Sequence, residues 1–344
     1  MVDVTVRGAG VFGLSIAWAC ARRGAKVQVI DPFGPGTGSS GGLVGALAPH
    51  VPENWNAKKA FQFESLIMAE SFWRQVEETG GVSPGYGRLG RLQPIADTRS
   101  LYLARQREGT ADELWQGLAE WRVISAAQAG AWCPPSPTGF VIRDTLTARM
   151  HPRRACAALV AALEVMGIHV ISEADDLGQV VHATGLAGLQ ELNDVYGKTV
   201  GSGVKGQAAL LRFDAGEVPQ LFADAIHIVP HADGTLAIGS TSEREYDDPT
   251  STDSALDDVI DRATRALPLL HGAEVMECWA GVRPRSKSRA PMLGAHPLHQ
   301  GQFIANGGFK IGFGMAPKIA EVMAELMLEG RDYIPDDFRP DASL

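Results

Sequence analysis

Val2-Asp3-Val4-Thr5-Val6, then Arg7, then Gly8-Ala9-Gly10-Val11-Phe12-Gly13 open the chain, and this stretch, carried on to Asp31, decides the fold. Val2 to Val6 reads as a short strand. Leu14 to Arg23 is a helical run, Gly24 a turn, and Lys26 to Ile30 a second strand that ends on Asp31. Gly8 permits a tight turn, Gly10 lets a backbone approach a pyrophosphate, and Gly13 lets the helix lie close to the strands. The helix N-terminus offers free N–H groups and partial positive charge to phosphates. Asp31 is placed to accept hydrogen bonds from a ribose hydroxyl pair. A lone glycine fingerprint is weak, but here the strand before it, the helix after it and the acidic end of the next strand are all present. The stretch implies a bound dinucleotide.

Working outward, Pro32 to Gly42 is rich in glycine and small hydroxyl residues, including Ser39, Ser40 and Gly41, and suits close approach to a phosphate or a ring. Leu43 to His50 is apolar and small. Asn56 to Thr79 reads as a long amphipathic helix with Phe61, Ser65, Met68, Phe72 and Val76 on its core stripe. Residues 85–150 read as irregular, with Trp115, Trp121 and Trp132 as core fillers. A helix from Pro152 to Met166 ends at Gly167, followed by a strand Ile168 to Ile171. Gln179 to Gly185 is a strand running into an Ala-Thr-Gly turn. Residues 203–245 look antiparallel, with a turn at Asp233-Gly234, and Ser254 to Leu267 is a helix stopped by Pro268. Near the C-terminus, Phe303-Ile304-Ala305 leads into Asn306-Gly307-Gly308-Phe309-Lys310-Ile311-Gly312-Phe313-Gly314 and a helix from Ala316 to Glu329. This is a second glycine loop feeding a helix N-terminus. A dinucleotide needs two such sites only when it carries an additional ring to hold.

The net charge of −9 argues against a nucleic-acid partner, since phosphate binding needs a basic face. Cys20, Cys133, Cys156 and Cys278 are widely separated, which suits a reducing compartment and offers no metal site. No uncharged run reaches the roughly 18–20 residues of a membrane span, and no apolar signal core precedes Asp3. A cytoplasmic location is expected.

In the family's order, five segments resemble the D-amino-acid oxidase-like flavoproteins, most closely the glycine oxidase and sarcosine oxidase branch. VRGAGVFGLSIAWACARRGAKVQVID is similar to the family's FAD fingerprint, SSGGLVGALAP to its flavin-side loop and VVHATG to its second nucleotide strand. WAGVRPRSKSRAPMLG and ANGGFKIGFGMAPKIAE resemble its C-terminal motifs. The fold class implied is α/β: a Rossmann-type FAD-binding domain of the GR2-like flavoprotein kind (1–45, 140–203 and 275–344). It interleaves with an α+β substrate domain containing an antiparallel sheet (46–139 and 204–274).

The resemblance implies one FAD, non-covalent because APMLG has no cysteine near it. Its contacts would be Gly8, Gly10, Val11, Phe12, Gly13, Asp31, Ser39, Ser40, Gly41, Leu47, Ala48, Val170, Ala183, Thr184, Gly185, Gly281, Gly308, Phe309, Lys310, Ile311 and Gly312. Arg283 is similar to the arginine that holds a substrate carboxylate, a task suited to a planar guanidinium. Lys310 and backbone N–H groups near a helix starting at Pro317 would stabilise negative charge at the ring. His227 stands where glycine oxidases carry a tyrosine; it reads either as a base or as a packed strand histidine, and His50 is similarly ambiguous. The implied partners are a small amino acid or amine and O2 or another electron acceptor, and a homo-oligomer is compatible. The implied reaction is oxidation of a small amino acid or N-alkyl amino acid with peroxide as by-product, and thiamine biosynthesis is an associated setting. The alternatives are a D-amino-acid dehydrogenase passing electrons to a quinone, and a non-enzymatic or tRNA-modifying flavin domain.

Overall fold

A computed structural model describes all 344 residues. Val4–Arg7 is the centre of a six-stranded sheet. It pairs in parallel with Val27–Ile30 on one side and with Gln179–His182 on the other. Val170–Ile171 closes one edge; Phe303–Asn306 and then Met292–Ala295 close the other, the last running antiparallel. Val4, Thr5 and Val6 are fully buried, as expected for a strand covered on both faces. Thr5 satisfies its hydroxyl inside the sheet by donating to the Leu177 carbonyl at 2.7 Å.

Helices Val11–Arg22, Ala57–Gly80, Pro152–Val165 and Gly312–Glu329 pack together in one large core. The long one is capped by Asn56, whose side chain accepts from the Lys59 amide at 3.0 Å, and it stops at Gly81 in the left-handed region. Phe61, Ser65, Phe72 and Val76 of its expected stripe are buried, while Met68 is half-buried. The final helix begins at Gly312, earlier than the sequence suggests, with Pro317 inside it. A proline there cannot donate and crowds the preceding turn. Ser65 compensates locally, its hydroxyl accepting from the Lys318 amide at 3.2 Å.

A second, eight-stranded sheet runs in the order Val275–Ser286, Gly201–Arg212, Thr235–Gly239, Ile226–Pro230, Gln220–Ala223, Arg91–Pro94, Phe140–Asp144, Trp121–Ser125. All its neighbours are antiparallel except Gln220–Ala223 against Arg91–Pro94. Helix Ser254–Ala266 covers one face, with Leu256, Val259 and Ala263 buried against Ile228, Leu236 and Ile238. The interleaving is as expected, but two expected boundaries shift. Phe140–Asp144 and Val275–Ser286 are strands of the eight-stranded sheet, because Val275–Ser286 pairs along its length with Gly201–Arg212. Residues 85–150 are also more regular than expected. They hold the helix Thr98–Trp115, N-capped by Asp97, and four strands that include Ala148–Met150, which pairs with Gly45–Leu47. Trp115 and Trp121 are fully buried there, while Trp132 is half-buried.

Candidate active site

One cavity of about 660 Å³ lies where the two sheets meet, within the size range of cofactor sites. Its nucleotide end is built by the first loop. Gly8 has φ +103°, and a side chain there would overlap the Ala183 carbonyl, so only glycine fits. A side chain at Gly13 would overlap the Gly8 carbonyl, which makes Gly13 a packing residue beneath the loop rather than a wall of the cavity. Gly10 differs from both. The nearest protein atom to a Cβ there is Ser40 Oγ at 3.2 Å, so its open side faces the cavity. Ser40 itself accepts from the Val11 amide at 3.0 Å, taking the first free N–H of the helix and fixing the second loop over it. Asp31 accepts from the Ala9 amide at 2.7 Å and the Phe33 amide at 2.9 Å, which holds the fingerprint turn closed.

Of the sequence-derived cofactor residues, Gly8, Gly10, Val11, Phe12, Asp31, Ser39, Ser40, Ala183, Thr184, Gly185, Gly308, Phe309, Lys310 and Gly312 line this cavity. Gly13, Gly41, Leu47, Ala48, Val170, Gly281 and Ile311 do not. Gly41 is needed within its own loop, where a Cβ would lie 2.5 Å from the Gly36 carbonyl. Leu47 is buried in the core, and the Ala48 carbonyl accepts from Gln62 at 3.2 Å. Val170 pairs with Val29, while the residues just beyond its strand, Ser172 to Ala174, reach the wall. Gly281 yields its space to the Trp279 indole, and Ile311 caps the last helix.

Sequence reasoning missed Trp279 and Asn306. The Trp279 ring passes over both Gly281 and Gly42, where a Cβ would lie 3.3 Å from it, and it lines the cavity. Asn306, buried, donates to the Gly185 carbonyl at 2.8 Å and accepts from the Gly307 amide at 2.7 Å. It therefore ties the Ala-Thr-Gly turn to the C-terminal glycine loop. An asparagine directly before Gly307-Gly308 was the available signal.

At the other end, Arg283 enters the cavity from strand Val275–Ser286. Its Nη2 donates to Ser240 Oγ at 2.7 Å and its Nη1 reaches the Thr241 carbonyl at 3.5 Å. Burial pushes its pKa down to about 10, with Glu243 acting in the opposite direction, so it stays charged near neutral pH. Lys310 is open to the cavity but hemmed in by protein; that desolvation, and then Arg283, push it below the ordinary lysine range. The loop between them is fixed by the Phe309 amide donating to the Pro284 carbonyl at 2.9 Å. Phe309 adopts φ +44°, a left-handed conformation rare for an aromatic residue.

His227 does not line the cavity. It packs on Phe222 with ring centroids 4.7 Å apart, its Nδ1 buried without a partner. Burial first, then Arg91 and Lys310, push it down to about 3, so it is a poor proton acceptor and the role of base is not supported. His50 is structural, its ring and its amide both bonded to Gln62. Elsewhere, His182, His296 and His299 bring ring nitrogens within 4.8 Å of one another. The His296 Nδ1 accepts from the Leu298 and His299 amides, which places its own proton on Nε2.

A parallel sheet whose glycine turn feeds a helix, joined across one elongated cavity to an antiparallel sheet, defines a dinucleotide-binding oxidoreductase. Residues 3–326 match the family described as FAD dependent oxidoreductase, and the chain belongs to that family. It is 25% identical over 374 residues to a glycine oxidase of Geobacillus kaustophilus, an alignment that covers 94% of this chain and 92% of the relative. The crystal structure of glycine oxidase from Geobacillus kaustophilus superposes with a TM-score of 0.82 at 20% identity, covering 98% of this chain and 97% of that one. An iminodiacetate oxidase from Chelativorans sp. BNC1 gives 0.82 at 20% identity, over 98% and 99%.

FAD is the cofactor of this oxidoreductase, and the residues present fit it. Gly10 leaves open the approach to a helix N-terminus that has no capping side chain at Gly10 itself. A side chain at Gly308 would come within 2.7 Å of Phe12, so the second glycine loop must lie flat against the first. No cysteine, histidine or tyrosine lines the cavity, which leaves none of these side chains for covalent attachment. No helix is long and apolar enough to cross a membrane.

Proposed function

We propose that the chain oxidises a small amino acid or N-alkyl amino acid whose carboxylate rests on Arg283. The observation that carries this is a cavity-lining guanidinium held by Ser240 and Thr241 with no acid in hydrogen-bonding or ion-pair contact. A half-buried guanidinium without a counter-ion is costly unless an anion completes it. The glycine oxidase relative supports the amino-acid class.

Bound FAD supplies a two-electron acceptor for the hydride leaving the substrate Cα. The chain contributes orientation. Arg283 fixes the acid group, Trp279 walls the site, and the uncapped start of helix Gly312–Glu329 presents positive partial charge beside Lys310. The only acids on the cavity wall, Asp31 and Glu173, belong to the nucleotide end, and His227 lies outside it. No side chain is therefore placed to take the amine proton, and the substrate must react as the neutral amine. The resulting imine takes up water to give a 2-oxo acid and ammonia or an amine. The two electrons leave on O2 as H2O2.

Purified protein incubated anaerobically with glycine, sarcosine, proline and D-amino acids tests the reading through bleaching of the oxidised-flavin band. Admission of air then separates peroxide formation from transfer to another acceptor.

A further inference from the structure

Helix Pro152–Val165 carries two arginines, Arg153 and Arg154, in its first turn and no acid there. The positive end of a helix dipole disfavours cations, so helix energetics does not account for them. Both instead reach acids of the eight-stranded sheet and its turns. Arg154 lies 3.5 Å from Asp233. Arg153 makes a two-pronged pair with Glu277, at 2.9 and 2.6 Å, and its remaining Nε donates to the Gly41 carbonyl at 2.7 Å.

Gly41 belongs to the glycine-rich loop whose Thr37, Gly38, Ser39, Ser40 and Gly42 line the cofactor cavity. The only regular structure in that loop is the short turn Ser39–Gly41. It leans on the same helix one turn further along, since a side chain at Gly36 would lie 3.3 Å from Cys156 Cβ. Glu277 and Trp279 are two residues apart on strand Val275–Ser286 and share one face. That strand therefore holds two successive loop residues, Gly42 beneath the Trp279 ring and Gly41 through Arg153. Arg153 joins the helix, the cofactor loop and the strand that carries Arg283, yet does not itself line the cavity. The strand is at the edge of its sheet, and the pair stays open to solvent, its side chains 40% and 38% exposed.

We propose that Arg153 and Glu277 form a latch that shuts residues 37–42 over bound FAD, so that release of the cofactor requires the pair to open. Arg153 is thus a positioning residue for the cofactor loop. The proposal needs only the bound FAD, not any particular substrate. Holoenzyme is diluted at low and at high salt, and release is followed by the rise in flavin fluorescence. Wild-type release should quicken with salt, because a half-exposed pair is screened. R153Q should release FAD about tenfold faster, having lost its charge-assisted bonds to Glu277 and Gly41, and should respond less to salt. E277Q should release it about threefold faster, since Arg153 keeps its bond to Gly41. The double variant should be no faster than R153Q. The apoprotein's melting temperature should hardly change in either single variant, which separates a latch from a merely structural pair. Unchanged release in both single variants, multiplied effects in the double variant, or a salt response in R153Q equal to the wild type's would overturn the inference. So would an apoprotein melting temperature that falls in step with the faster release.

Discussion

Arg283 lies in the space that a side chain at Gly206 would occupy. The two residues sit on paired strands, Gly206 opposite Gly281, and a Cβ on Gly206 would overlap the guanidinium. The absence of that one carbon lets the arginine lie flat across the neighbouring strand and aim along the cavity. Gly206→Ala should therefore fold normally yet displace the guanidinium. We expect a raised KM with a smaller change in kcat. Arg283→Gln should lose about 2–5 kcal/mol of transition-state binding, read as kcat/KM. A Gly206→Ala enzyme with unaltered KM would contradict this relationship.

The two glycines of the first loop should separate in their effects. Gly8→Ala forces a left-handed φ and a clash with the Ala183 carbonyl, so it should destabilise the apoprotein itself. Gly10→Ala meets only Ser40 Oγ at 3.2 Å and should leave the apoprotein's melting temperature nearly unchanged. It should nonetheless be purified largely without flavin. Retention of normal flavin content by Gly10→Ala would remove the pyrophosphate from that position.

The fingerprint was readable because its glycine spacing, with a strand before it and a helix after it, is a local pattern, even though Gly8 answers to the distant Ala183 carbonyl. Gly13 packs on Gly8, and the strand before them is buried on both faces. Gly206 was not readable, since its partner lies in another strand and nothing in its own surroundings marks it. Trp279 was hidden in the same way, since its ring also covers Gly42 far along the chain, whereas Asn306 had a local signal in the Gly307-Gly308 that follows it. The helix Thr98–Trp115 buries only Ala104, Ala111 and Trp115, too sparse a stripe to stand out from its charged residues. His227 stood where a base would be wanted, and only burial beside Phe222 shows it to be a packed residue.

The pH profile should have two limbs. On the acid side, kcat/KM rises as the substrate amine loses its proton, with no contribution from His227, already neutral above about 3. On the alkaline side it falls as Lys310, lowered by desolvation and Arg283, and Arg283 itself, pushed down to about 10, lose their charge. Lys310→Arg should move the alkaline limb to higher pH. An unmoved limb would assign it to Arg283 alone.

Lys310 should also weigh on stability. Its folded-state pKa lies below the unfolded value, so its charge opposes folding at neutral pH. That penalty fades as pH rises through the lowered folded value and is gone above the unfolded one. Lys310→Met should thus melt at a higher temperature at neutral pH without substrate, with the gain vanishing at high pH. A lower melting temperature would contradict this sign.

Arg91 and Asp144 form a buried ion pair at 3.0 Å, linking neighbouring strands of the eight-stranded sheet. The other oxygen of Asp144 accepts from the Thr147 amide at 2.8 Å. Asp144→Ala strands both the guanidinium and that amide, and should cost about 3–5 kcal/mol in chemical denaturation. A loss under about 1 kcal/mol would show that water reaches Arg91.

Anaerobic titration of wild type and Arg283→Gln side by side, following the oxidised-flavin absorbance against amino-acid concentration, tests the central claim most directly. The wild type should bleach with at least one small amino or imino acid, while Arg283→Gln, still carrying its flavin, should need concentrations higher by about two orders of magnitude. Bleaching of both proteins at the same concentration, or of neither by any amino acid, would contradict the role given to Arg283.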